Sequence, residues 1–219
     1  LISALIHDYK HPGLNNNHLI KTQSKWALLY NDISVLENMH VSLSCQILKK
    51  NHNNFAKFLT NEQQNYFRKL LIQTVLATDM TKHNAQVSVL QKHANILDNE
   101  TLSDTEMTYE TRNDFFKIAL HVADISNPAK PFNISKKWAE LITEEFWRQG
   151  DIEKKLQMNV EPLFDRTKTK IHDSQIGFIS YIVLPVFNIW SAFIPSISHA
   201  KKIMQENIQK WKKTGQQNN

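Results

Sequence analysis

His7-Asp8-Tyr9-Lys10-His11-Pro12-Gly13-Leu14-Asn15-Asn16 is the stretch on which the interpretation of this 219-residue chain turns. Two imidazoles stand four residues apart with a carboxylate beside the first. Neutral ring nitrogen plus anionic oxygen is a donor set that suits a divalent cation such as zinc. An Asp can also bridge two cations, because its two oxygens bind independently. A polar helix end, with His7 and Asp8 in a local hydrogen bond, is the other reading of the pair. Pro12 biases His11 out of the helical region, and Gly13 with Asn15 to Asn17 accepts positive φ. Residues 11–17 are therefore predicted to turn.

Outward from this stretch, the composition points to helices. Four Gly and six Pro in 219 residues are too few for a sandwich, a collagen-like repeat or Gly/Pro-rich disorder. The 11 Phe and 5 Trp give enough bulk for one core at this length. Cys45 is the only cysteine, which excludes an intrachain disulfide and a zinc ribbon and favours a reducing, cytoplasmic location. Of the net charge of +5, +4 lies between His199 and Lys213, where five Lys meet one Glu. That distribution suits a solvated last helix and not a groove tracking nucleic acid.

Helices are predicted near 1–8, 18–30, 35–50, 61–80, 83–97, 109–124, 134–149, 174–194 and 197–212, with a frayed polar tail at 214–219. Ser34-x-x-Glu37 and Thr60-x-x-Gln63 both fit the capping box. Apolar residues then recur at three and four, as in Phe67, Leu70, Leu71 and Val75. Ser174 to Ser198 carries no charge and is long enough for a membrane span. Gln175, Asn188, Pro185 and Pro195 inside it, and the lack of a second span, favour a buried core helix. The opening LISALI has neither a basic stretch nor a cleavage site, so it is no signal peptide; it reads as the end of a helix whose upstream part is missing.

Taken together, H-D-x-x-H-P-G-x-x-N resembles the signature of the cyclic nucleotide phosphodiesterase catalytic domain. LLYNDISVLENMH at 28–40, LATDMTKH at 76–83, HVADISNPAKP at 121–131, WAELITEEFWRQGD at 138–151 and SQIGFISYIVLP at 174–185 follow in the family's order. The resemblance implies an all-α, compact multi-helix domain over 1–213, truncated at its N-terminus. It implies hydrolysis of a 3′,5′-cyclic nucleotide to the 5′-monophosphate in signal transduction, with cyclic AMP weakly favoured over cyclic GMP. His7, Asp8 and Asp124 would hold the tighter metal, usually zinc, and Asp8 would reach a second, usually magnesium and alternatively manganese. A hydroxide between the two metals would attack phosphorus. His11 and Glu37 would orient the second metal's waters; the competing use of Glu37 is the capping box. His121 would be a satisfied core or outer histidine. Gln175 would hydrogen-bond the purine, Phe178 would stack on it, Ile142 would close the opposite side, and Asn127 would meet the base edge. Plain core packing is the alternative for Phe178 and Ile142. A purine partner also accounts for Gln175 inside the charge-free stretch.

Some residues depart from the family. No Tyr-His-Asn-x-x-His motif occurs in the sequence, so the expected general acid and fourth zinc ligand are missing. Lys10 stands where Asp is common, Met39 replaces the first His of Glu-Asn-His-His, and Leu184 precedes Pro185 where His is frequent. The competing expectation is thus a degenerate domain that binds cyclic nucleotide or a protein partner without turnover. Membrane attachment would have to come from segments outside this sequence, and the residues indicate no oligomeric state.

Overall fold

The computed structural model describes residues 1–50, 52–99 and 108–217, and all regular structure among them is helical. The described residues form two compact units. One takes in residues 1–89 and, from Thr108, the chain up to His121; the other takes in 90–99 and 122–217.

The first unit contains α1 (Ile2–Ile6), α2 (Asn16–Lys21), α3 (Lys25–Leu29), α4 (Val35–Leu48), α5 (Asn61–Leu76), most of the first half of α6 (His83–Asn99) and most of α7 (Tyr109–Asp124). α4 is its centre because both flanks are apolar. Leu36 and Met39 pack with Leu19 and Ala27, whereas Val41 packs with Leu71 and Val75 of α5. Met39 is 3% exposed, so its departure from the family pattern places a core side chain where a His would be. The predicted helix over 18–30 is two helices. Gln23 has φ 48°, and the Ser24 hydroxyl accepts the N–H of Ala27 to cap α3.

The two capping boxes fare differently. Thr60 accepts from the Gln63 N–H at 3.3 Å while the Gln63 side chain accepts from the Thr60 N–H at 3.0 Å, as predicted. Ser34 is no such cap. It lies at φ 44°, and its hydroxyl donates instead to Asp79 Oδ2 at 2.6 Å. Partial burial opposes it, but the bonds from Ser34 and Thr81 hold the Asp79 carboxyl below its usual range.

The second unit is built on α8 (Phe132–Lys155), α9 (Ile171–Phe178), α10 (Leu184–Phe193) and α11 (Ser198–Gln217). α8 runs six residues beyond its predicted end, through Gly150, and α11 continues through residues 214–217, which were expected to fray. The His172 ring lies over buried Gly215 and keeps that last turn docked. Asn218 and Asn219 fall outside the described residues. Between α9 and α10 the chain makes a π turn, Ile179–Val183. Pro185 has no N–H to give and its ring displaces the carbonyl four residues back, so the ladder shifts register there.

Ile171–Phe193 is long and apolar enough to cross a membrane by length and composition. Ile179, Val183, Val186, Phe187 and Trp190 form a buried stripe on it, whereas Tyr181 is 80% exposed. The expected buried core helix is therefore a one-sided helix, with apolar side chains on its open face as well.

Candidate functional site

His7 and His11 are each fixed by a local contact. His7 ends α1, and its Nδ1–H donates to the Ala4 carbonyl at 2.8 Å. In the neutral ring this leaves Nε2 as the lone-pair nitrogen, and it faces Asp8 Oδ2 at 3.2 Å. Two acceptors at that distance need a cation between them, whether a proton or a metal ion. When a proton fills that place, the His7 Nε2–H donates to Asp8 and holds its carboxyl below the ordinary range despite partial burial. The donor set thus fits a divalent metal by chemistry and by tautomer.

His11 is arranged in the opposite sense. The Gly13 N–H donates to His11 Nδ1 at 3.1 Å, which places the neutral ring's proton on Nε2. A ring in this tautomer offers a donor to water or a phosphoryl oxygen and no lone pair at Nε2 for a metal. The turn that makes this contact needs Gly13 at φ 72°, as the sequence predicted. His40, buried on α4, stacks on His11 with ring centroids 5.6 Å apart and bonds the Tyr9 carbonyl through Nδ1 at 2.7 Å. Burial pushes its imidazole below the usual range, toward the neutral form. His40 therefore braces the loop from α4.

Lys10 lies in the middle of this loop at φ 61°, a left-handed conformation that Asn and Asp tolerate better than Lys. Its ammonium rests 5.7 Å from the Tyr9 ring centroid. Relief of the backbone should outweigh loss of that exposed contact, so Lys10→Asn is expected to stabilise the chain by about 0.5 kcal/mol. Urea unfolding with an unchanged m-value would measure it, and a lower midpoint would contradict it.

Glu37, in the first turn of α4, accepts from Asn16 Nδ2 at 3.0 and 3.4 Å and takes no part in a capping box. Burial raises its carboxyl above the ordinary range, against the Asn16 bond. His121 is fully buried, with Nε2 2.9 Å from Nδ1 of His83, so it is a core histidine and no ligand. Burial likewise lowers His83.

In the second unit, Asp124 is exposed at the end of α7. Asn127 begins the following 3-10 turn, and its Oδ1 accepts from Lys130 Nζ at 2.7 Å. Gln175 and Phe178 sit one turn apart on α9, both half-buried, and α9 packs against α8, which carries Ile142. Ile142 is 40% exposed, and neither it nor Phe178 belongs to the buried core. Behind Ile142, Gly150 lets α8 approach the Phe164 backbone, and Arg166 forks onto Asp151 and Glu144 over the Trp147 ring. These contacts pin the segment that leads into α9. Sequence reasoning missed Asn16, His83 and the Ser34–Asp79 pair as working groups; Asn16 was visible as the last letter of the opening motif.

Comparisons with known proteins place the chain in a family. The 3′5′-cyclic nucleotide phosphodiesterase family matches residues 1–204. The chain is 35% identical over 211 residues to a probable 3′,5′-cyclic-AMP phosphodiesterase of Caenorhabditis elegans, covering 94% of this chain and 31% of that protein. It is 39% identical over 197 residues to a dual specificity calcium/calmodulin-dependent 3′,5′-cyclic nucleotide phosphodiesterase of Drosophila melanogaster, covering 90% and 22%. The crystal structure of the phosphodiesterase domain of Salpingoeca rosetta rhodopsin phosphodiesterase superposes with a TM-score of 0.92 at 30% identity, covering 99% of this chain and 65% of that one. The chain thus spans a third or less of these two curated relatives and about two thirds of that solved domain. With His7, Asp8 and His11 set as described, and the match running through nearly the whole sequence, the chain belongs to the 3′5′-cyclic nucleotide phosphodiesterase family.

Proposed function

We propose that this chain supplies the metal-holding and base-binding side chains of an enzyme that hydrolyses a 3′,5′-cyclic nucleotide to the 5′-monophosphate. The observation that carries this is the His7 tautomer, which presents Nε2 to the Asp8 carboxylate within a segment matched to the family. His7, Asp8 and Asp124 would hold a tight cation, zinc by ligand type, and Asp8 would reach a second, magnesium or manganese. When bound, such ions supply positive charge for the phosphoryl oxygens and a water of lowered pKa. The chain's own residues do the remainder. His11 directs its Nε2–H at water or a phosphoryl oxygen. Glu37 orients water from the other side.

Gln175 would meet the purine edge with donor and acceptor together, while Phe178 and Ile142 would sandwich its plane. Lys130 occupies the Asn127 carbonyl, so Asn127 has N–H donation to offer a base. Cyclic AMP is the substrate weakly favoured, in line with the name of the nematode relative. The assay is hydrolysis of cyclic AMP and cyclic GMP by the metal-loaded chain. Gln175→Ala should raise KM about tenfold with metal content intact, the cost of roughly one lost hydrogen bond. An unchanged KM would remove Gln175 from the base site. Nucleotide binding without turnover would favour the non-catalytic alternative, toward which the Lys10 ammonium points.

A further inference from the structure

The N-terminus of α4 lacks its capping box: the Ser34 hydroxyl is taken by Asp79, and the Glu37 carboxylate bonds Asn16 and its own N–H instead of reaching back to Ser34. One amide from another helix makes a different cap in its place. Asn16 Oδ1 accepts the Leu36 N–H at 2.8 Å, and Asn16 Nδ2 reaches both Glu37 oxygens at 3.0 and 3.4 Å. Acceptor to an N–H and donor to a carboxylate fix which end of the amide is which, so the group has one orientation. No other neutral side chain of this length does both. Asn38 Nδ2 adds bonds to the Ile33 and Ser34 carbonyls, which hold the left-handed Ser34 in place.

We propose that Asn16 is a positioning residue that caps α4 from outside and aims the Glu37 carboxylate at the waters of the weaker cation. The proposal rests on the assignment of Glu37 in the preceding section. Loss of the clamp should leave the carboxylate held by its own N–H alone, and outer contacts of this kind set metal affinity by about ten- to a hundredfold.

The test is manganese binding to the weaker site of the zinc-loaded chain, followed by electron paramagnetic resonance, with thermal unfolding alongside. Asn16→Asp keeps an oxygen for the Leu36 N–H but gives Glu37 a like charge in place of a donor. It should weaken manganese binding about tenfold or more with little change in Tm. Asn16→Ala should weaken it similarly and also lower Tm, through loss of the cap. Glu37→Gln should match Asn16→Asp, and the double variant should bind no more weakly than either one. Wild-type binding in Asn16→Asp with impaired binding in Glu37→Gln would overturn the proposal alone. Wild-type binding in both, or no manganese uptake by the parent chain, would overturn the Glu37 assignment and the proposal with it.

Discussion

Asp124→Ala is expected to emerge from dialysis without its tight cation, whereas the parent chain keeps it. Removal of an outer-shell partner costs about ten- to a hundredfold in metal affinity, so removal of a ligand should cost more than a hundredfold. Asp124 is exposed at the last position of α7, so truncation opens no core cavity and the circular dichroism spectrum should not change. Hydrolysis should fall with the metal. Asp124→Asn separates charge from shape: it keeps the outline of the side chain and should lose the cation nearly as completely, because a neutral amide oxygen is a poor zinc ligand. Metal content equal to the parent's in both variants would take Asp124 out of the ligand set.

Gly150→Ala should produce the largest loss of stability. A β-carbon there would lie far inside van der Waals contact with the Phe164 carbonyl oxygen and 2.8 Å from the carbonyl carbon, both backbone atoms that no rotamer change can move. Phe164 is itself 7% exposed, with its ring 5.1 Å from that of Phe146. Relief therefore requires α8 and the 162–164 turn to separate, exposing that pair. Overpacking usually costs 1–3 kcal/mol, and contact with fixed backbone places this case at about 3 kcal/mol or more. In an exposed helix interior the same change would stabilise by about 1 kcal/mol, so even the sign is diagnostic. Chemical denaturation measures it, and an unchanged midpoint would mean that α8 and the turn do not meet as described. Because the segment after Phe164 leads into α9, the variant should also weaken nucleotide binding through Gln175 and Phe178.

The same residues show which kinds of information the sequence carries. Helix starts governed by neighbours, such as Thr60 with Gln63, were legible because both partners lie within one turn of chain. The turn at Pro12-Gly13 was legible for the same reason, since φ is set by the residue itself. The motif string gave the candidate ligands and, with the later segments, the family. The Ser34 capping box failed because Asp79, 45 residues away, competes for the hydroxyl and Asn16, 21 residues away, competes for Glu37. Local propensity ranks only the contacts a residue can make with its own helix.

Sequence by itself therefore determined the helical class, the turn that begins at His11, and the family to which His7, Asp8 and His11 belong. Tertiary structure decided the stacking of His40 on His11, the pairing of His121 with His83, the burial of Met39 and the use of Gly150. The physical reason is range. Backbone preference and hydrophobic period act over a few residues, whereas the partner of a buried ring, or the space left for a β-carbon, depends on whichever atoms folding brings alongside.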